Sequence, residues 1–179
     1  MNRSFKPIYG IEYFIESIPC IIRKCPDVRI LLIGGGLRRE IYLCRIQELG
    51  LSDYIYLPGY VNEIEMAKYL NAADIYVSSS LSDGTSVSLL EAFACRLPVV
   101  VSDLPANREW VVEGENGYLV PPKDSMILGE KIVVLLENCA LREKYAARNY
   151  SIAKKRADWN KNYEILDNIY KKLTAKSKG

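Results

Sequence analysis

The sequence contains no histidine in its 179 residues. That excludes a histidine-based triad and any histidine metal site within the chain. Any imidazole the chemistry needs must come from another polypeptide. No D-x-D occurs either, and the pairs Glu63/Glu65 and Glu113/Glu115 read as solvated surface rather than metal ligands, so no metal and no other cofactor is expected. The five cysteines, Cys20, Cys25, Cys44, Cys95 and Cys139, form no C-x-x-C pair. Their odd number and mostly apolar surroundings predict buried free thiols in a reducing cytosol, hence a cytoplasmic protein. No apolar run reaches the ~18 residues of a membrane span, and no signal-peptide pattern opens the chain. Excess charge is lacking too: 24 Lys and Arg against 22 Asp and Glu leave a formal net charge of +2. Without a basic run interleaved with aromatics, nucleic acid is not the expected partner. The lysines Lys171, Lys172, Lys176 and Lys178 sit in a tail read as a frayed, soluble helix end. Peripheral contact with an anionic membrane is the sharper alternative for them.

What the sequence does have is apolar residues, at 49%. That is enough for one folded domain with a sizeable core. Short apolar runs alternate with helical patterns. Runs at 29–33, 54–57, 74–78, 98–102 and 118–120 read as strands. Helices are expected up to about Gly50, over 64–70, up to about Cys95, over 107–113, from an Asp124 N-cap to about Asn138, and over most of the remainder. Ile11, Phe14, Ile15, Ile18 and Ile22 share one face of an early helix that Pro19 should kink or end. No internal repeat or linker is visible. The alternation predicts an α/β fold, a doubly wound parallel sheet of βαβ units. Ligands of such sheets bind at the carboxyl ends of the strands, so the loops after Ile33, Leu57, Ser78 and Ser102 become the candidate site.

Three features lie on those loops. Gly34-Gly35-Gly36 follows a strand, but Arg39 stands where a dinucleotide fingerprint wants its third glycine. It reads as a tight turn, or as a close approach of backbone to a phosphate at Gly35. Asp83-Gly84 could be a simple turn. Glu91 stands among Leu89, Leu90, Ala92 and Phe93. Ser88 and Glu91 match a capping box. If Thr85, Ser86 or Val87 starts the helix instead, Glu91 sits one turn inside, facing the strand ends. There a partly buried carboxylate could accept hydrogen bonds from the vicinal hydroxyls of a ribose. The loop Gly84-Thr85-Ser86 would present free N–H groups to a phosphate or to sugar oxygens.

The stretch from Asp83 to Val101, DGTSVSLLEAFACRLPVVV, resembles the E-x7-E signature of the family 4, GT-B-fold retaining glycosyltransferases (glycosyl transferases group 1). The similarity continues through Asn107-Arg-Glu-Trp-Val and Asn116-Gly-Tyr-Leu-Val to Trp159 and the helix over 163–170. The resemblance implies the C-terminal, Rossmann-like donor half of a GT-B fold. It implies transfer of a hexose from a UDP- or GDP-linked sugar to an acceptor, with retention and without a metal, in synthesis of a cell-surface polysaccharide or glycoconjugate. The leaving phosphate would help to deprotonate the acceptor. Asp83 and Glu91 would be the catalytic carboxylates, Asp83 on the sugar hydroxyls and Glu91 on the ribose. Gly84, Thr85, Ser86 and Val87 would contact sugar and diphosphate, Val61 the nucleobase, and Arg3 the diphosphate. Lys6 would stand in for the family's phosphate-binding lysine, whose place is taken by Tyr9-Gly10.

The departures carry expectations of their own. Arg96 replaces the usual glycine after the helix and would add roughly 1 kcal/mol of strain if its φ is positive. The resemblance places the acceptor-binding domain before the donor domain. The chain accordingly reads as a single donor-binding domain over 1–179, its first strand cut short and the N-terminal acceptor domain absent, with little transfer expected from this piece alone. A non-catalytic nucleotide- or sugar-binding module and a nucleotide-sugar epimerase of the same fold are the alternatives.

Overall fold

A computed structural model describes residues 1–176; Lys178 and its neighbours at 177 and 179 lie outside the described residues. The order is α1 (Ile11–Lys24), β1 (Ile30–Ile33), α2 (Arg39–Glu48), β2 (Ile55–Gly59), α3 (Glu63–Ala72), β3 (Tyr76–Ser78) and α4 (Val87–Ala94). It continues with β4 (Val99–Ser102), α5 (Pro105–Arg108), β5 (Gly117–Val120), α6 (Ser125–Glu137), α7 (Cys139–Arg156) and α8 (Trp159–Lys176). Every strand pairing is parallel. The α/β class read from the alternation therefore holds.

The sheet is not continuous. β1 pairs with β2, and β3, β4 and β5 form a second sheet in that order. Outside these ladders, Asn2 forms a parallel bridge to Ile33. Between the two sheets lies a cavity of about 830 Å³ lined by Leu31, Ile33, Tyr76 and Val77 among others. The Met1 α-amino group is held beside β1, donating to the Leu31 carbonyl at 3.0 Å. Burial, aided by the Arg3 charge, pushes its pKa down to about 5.

Helices cover both faces, as the alternation of β4 makes plain. Val100 packs into one core with Phe14, Ile18, Leu128 and Ile132 of α1 and α6. Val99 and Val101 point the other way, into a second core with Leu89 and Phe93 of α4 and Ala153 of α7. A strand buried on both faces must be apolar at every position, which is why residues 99–101 read as an unbroken valine run. Side chains such as Ile18 and Phe93, each 0% exposed, contribute about 1.5–3 kcal/mol apiece on burial.

Several local expectations need correction. Pro19 lies inside α1 without ending it. Its missing N–H removes one internal hydrogen bond, and the buried face of Ile11, Phe14, Ile15, Ile18 and Ile21 holds the helix together across it. The helix expected over 107–113 runs instead from Pro105 to Arg108. Pro105 suits the first turn and starts the helix early. Past its end Trp110 N and Val111 N both donate to the Asn107 carbonyl, and Val112 N donates to the Asn116 side chain at 2.7 Å. No cysteine is buried: Cys44 and Cys139 are exposed and the other three intermediate. Cys44 falls on the face of α2 opposite its buried residues Tyr42 and Ile46. Among the described residues no helix is long and apolar enough to cross a membrane.

Candidate functional site

The loop from Ser79 to Ser86 leaves the carboxyl end of β3 and enters α4. Ser86 is the N-cap; its hydroxyl accepts from Leu89 N at 3.3 Å, and Val87 is the first helical residue. That start rules out the capping box on Ser88 and puts Glu91 more than one turn inside the helix. Gly84 and Thr85 are exposed ahead of the cap, and Val87 is 69% exposed. The helix N-terminus is thus open on its outer side, with the partial positive charge of its first N–H groups.

Arg3 reaches this N-terminus from the start of the chain. Its Nη2 lies 2.5 Å from the Asp83 carboxylate and 2.5 Å from the Ser86 hydroxyl, with the Ser78 hydroxyl at 3.5 Å. Its guanidinium also lies over the Tyr9 ring at 5.0 Å. The side chains of Arg3 and Asp83 are 10% and 16% exposed, so the pair is largely desolvated. Arg3 Nε is buried and has no hydrogen-bond partner. Beneath the pair, hydroxyls continue the network: Ser78 to Ser80 at 3.1 Å, Ser86 to Ser88 at 3.0 Å, and Tyr76 Oη donating to Ser88 at 3.1 Å.

Glu91 departs from expectation in one respect. Its neighbours Ala92 and Phe93 are buried, but Glu91 itself belongs to the exposed face of α4. A helix turns 100° per residue, so a charge inside an apolar run can still point outward. Its carboxylate accepts from Asn2 Nδ2 at 3.3 Å. Desolvation around it raises its pKa above the usual glutamate value, and the Asn2 hydrogen bond works in the opposite direction. Asn2 itself is 9% exposed, and its Oδ1 has no partner.

The structure gathers Arg3, Asp83 and Ser86 at the N-terminal end of α4, with Glu91 one turn further along it, while the Arg3 backbone packs against the glycine turn. Gly35 is buried, its carbonyl accepting from Tyr60 Oη at 2.7 Å and from Phe5 N at 2.8 Å. A Cβ there would meet the Tyr60 ring at 2.9 Å. That turn is packed by protein, which favours its tight-turn reading over a phosphate cradle. Lys6 is exposed, just ahead of a short 3-10 helix at Pro7–Tyr9. Val61 is half-buried at the carboxyl end of β2, beside the Asn62 N-cap of α3.

Three of the four residues in the acidic pairs, Glu65, Glu113 and Glu115, have structural partners. Glu65 closes a capping box with Asn62. Glu113 accepts from Leu119 N at 2.5 Å, and Glu115 pairs with Arg148. Among the described residues no cluster of three metal-ligating side chains occurs. Arg96 does have a positive φ, 60°, and its guanidinium lies 4.2 Å from the Tyr150 ring centroid. The backbone strain there is offset in part by this stacking.

Sequence reasoning missed Asn2 as a site residue and gave Ser78 and Tyr9 no contact with Arg3; only the fold carries residues 2–9 across to α4. The one available signal was the adjacency of Asn2 to Arg3.

Comparison with known proteins follows the same outline. The family model described as glycosyl transferases group 1 matches residues 2–138. A phosphatidyl-myo-inositol mannosyltransferase of Mycobacterium leprae is 34% identical over 161 residues, covering 89% of this chain and 42% of the relative. The chain therefore spans about two fifths of the length of the curated relatives it matches first. Among solved structures, the C-terminal domain of the group 1 glycosyl transferase LpcC from Francisella tularensis superposes with TM-score 0.80 at 27% identity, over 87% of this chain and 83% of that one. HepE from Anabaena, in complex with UDP-glucose, superposes with TM-score 0.84 at 23% identity, over 97% of this chain and 47% of that one. The latter likeness is one of fold.

Proposed function

The chain belongs to the glycosyl transferases group 1 family, and from that premise we propose that it is the donor-binding domain of a retaining glycosyltransferase. In this reading the whole protein moves a hexose from a nucleotide-diphosphate sugar to an acceptor in surface polysaccharide or glycoconjugate synthesis. One observation carries the reading: Arg3, Asp83 and Ser86 converge on the exposed N-terminus of α4, and Glu91 stands one turn further along the same helix, hydrogen-bonded to Asn2.

Each part of that arrangement suits one part of a nucleotide sugar. The helix N-terminus and the Arg3 guanidinium complement a diphosphate. The Glu91 carboxylate, held by Asn2, offers acceptor oxygens to the two hydroxyls of a ribose. Asp83, on the loop ahead of the helix, offers the same to the hydroxyls of the transferred sugar. Val61 provides an apolar side chain for the base, and Lys6 an exposed cation for the phosphates. Positive charge and N–H donors gathered at the diphosphate stabilise the negative charge that develops on it as the glycosidic bond breaks. No metal or further cofactor enters this scheme. UDP and GDP are the expected nucleotides, and the acceptor is to be supplied by a second domain.

Thermal melting of the chain against UDP, GDP, ADP and their sugar conjugates tests the reading. A ligand at ~100 times its Kd adds about 2.7 kcal/mol, a shift of several degrees for a domain of this size. The expected result is a shift with one nucleotide that disappears in Glu91→Ala. No shift with any nucleotide would overturn the proposal. Glycosidic product from the full-length protein, and none from a donor-site variant, would separate a transferase from a binding module.

A further inference from the structure

The same cluster holds a conflict between its two charged members. Asp83 has its cation: Arg3 Nη2 lies 2.5 Å from its Oδ2, in a pair only 10% and 16% exposed. Arg3, however, is not saturated, since its Nε is buried without a partner. One nitrogen, Nη2, faces three acceptors at once, Asp83, Ser86 and Ser78, and carries only two protons. An anion that can offer several oxygens satisfies a guanidinium better than this arrangement does. Arg3 therefore gains by turning to a diphosphate at the start of α4, and Asp83 loses by it. Its carboxylate would be left without its cation, beside new negative charge, in a partly desolvated pocket.

We propose that the Arg3–Asp83 ion pair makes the site discriminate between a nucleoside diphosphate that carries a sugar and one that does not. The proposal rests on the donor-binding reading above and adds a direction to it. A sugar on the terminal phosphate brings hydroxyl donors to the loop that holds Asp83, and these replace the hydrogen bond that Arg3 withdraws. A bare diphosphate brings no donor, so its binding leaves Asp83 unpaired. The carboxylate thus penalises the product of transfer relative to the donor, which favours exchange of spent nucleotide for fresh donor. Discrimination of this kind arises from repulsion of the wrong ligand rather than from added attraction to the right one.

The test is titration calorimetry of the wild-type chain, Asp83→Asn and Asp83→Ala with UDP, UDP-glucose, GDP and GDP-mannose. Asp83 lies in an incompletely buried loop outside both cores, and melting of each variant without ligand checks that it folds. Asp83→Asn removes the charge and keeps the size. The expected result is that the bare diphosphate binds roughly tenfold tighter or more to both variants, while the sugar conjugate binds no tighter or more weakly. The preference for the conjugate then collapses. If the bare diphosphate binds more weakly to the variants, or if both ligands change by one common factor, Asp83 supports Arg3 instead of opposing its transfer, and the inference is overturned. Absence of binding by the wild-type chain would overturn both this inference and the reading beneath it. Wild-type binding with an unchanged ratio overturns this inference alone.

Discussion

Two strand-to-helix turns, one at the carboxyl end of β1 and one at that of β3, offer different surfaces to an anion. The turn after β1 opens on three glycines, and the first two of them are buried. Gly34 has φ 129°, and a Cβ on it would sit 2.0 Å from the Arg3 carbonyl oxygen. The Tyr60 ring closes over Gly35. The turn after β3 is built of serines, an aspartate and a single glycine, and its helix N-terminus remains exposed. The difference teaches what glycine and hydroxyl residues each contribute at such a turn. Glycine permits protein backbone to approach, and here the segment carrying Arg3 fills the space. Hydroxyls and charge leave a polar surface that a ligand can use. The glycine turn serves the other turn, because it lets residues 3–5 cross over β1 so that Arg3 can reach Asp83 and Ser86.

The largest effect should come from breaking the first turn. Gly34→Ala combines a positive φ with a main-chain clash and is expected to cost about 3 kcal/mol or more. Thermal and urea unfolding would report it, and nucleotide binding should weaken with it, since the Arg3 segment must shift. Ser86→Ala acts on the second turn. It removes the N-cap and one partner of Arg3, with an expected stability loss of about 1 kcal/mol. A loss near zero would show that the cap is supplied by another group. Tyr60→Phe removes the hydrogen bond to Gly35 while keeping the ring packed. It should cost about 0.5–1.5 kcal/mol in unfolding and leave nucleotide binding unchanged. An effect on binding would reopen the glycine turn as part of the site.

The smallest effect is a pH dependence of ligand binding. Only the ionised Glu91 carboxylate accepts two hydroxyl hydrogen bonds, and its pKa is raised in the folded chain. Affinity for the nucleotide should therefore be full above that raised value and fall as pH drops through it, starting at higher pH than for an ordinary glutamate. Glu91→Gln should bind more weakly with a flatter profile. Titrations across the acidic range check both the sign and the residue.

Much of this was legible in the chain itself. The valine run at 99–101 announced a strand buried on both sides, and the interval from Asp83 to Glu91 announced a loop entering a helix with a carboxylate set inside it. Asp124 was readable as an N-cap, and its side chain accepts from Ile127 N at 2.9 Å. Local chemistry determines such features within a few residues of each other. Pro19 does not end α1 because a buried apolar face outweighs one missing hydrogen bond, and that face is packed against α6. The five cysteines were misread because apolar neighbours in sequence do not share a helix face.

Residue order set the α/β alternation, the two-sided burial of β4 and the polar residue types on the loop that enters α4. Tertiary structure alone decided which of them meet. The contact of Arg3 with Asp83 spans 80 residues, and that of Asn2 with Glu91 spans 89. Periodicity and capping are short-range and leave no trace of such pairings.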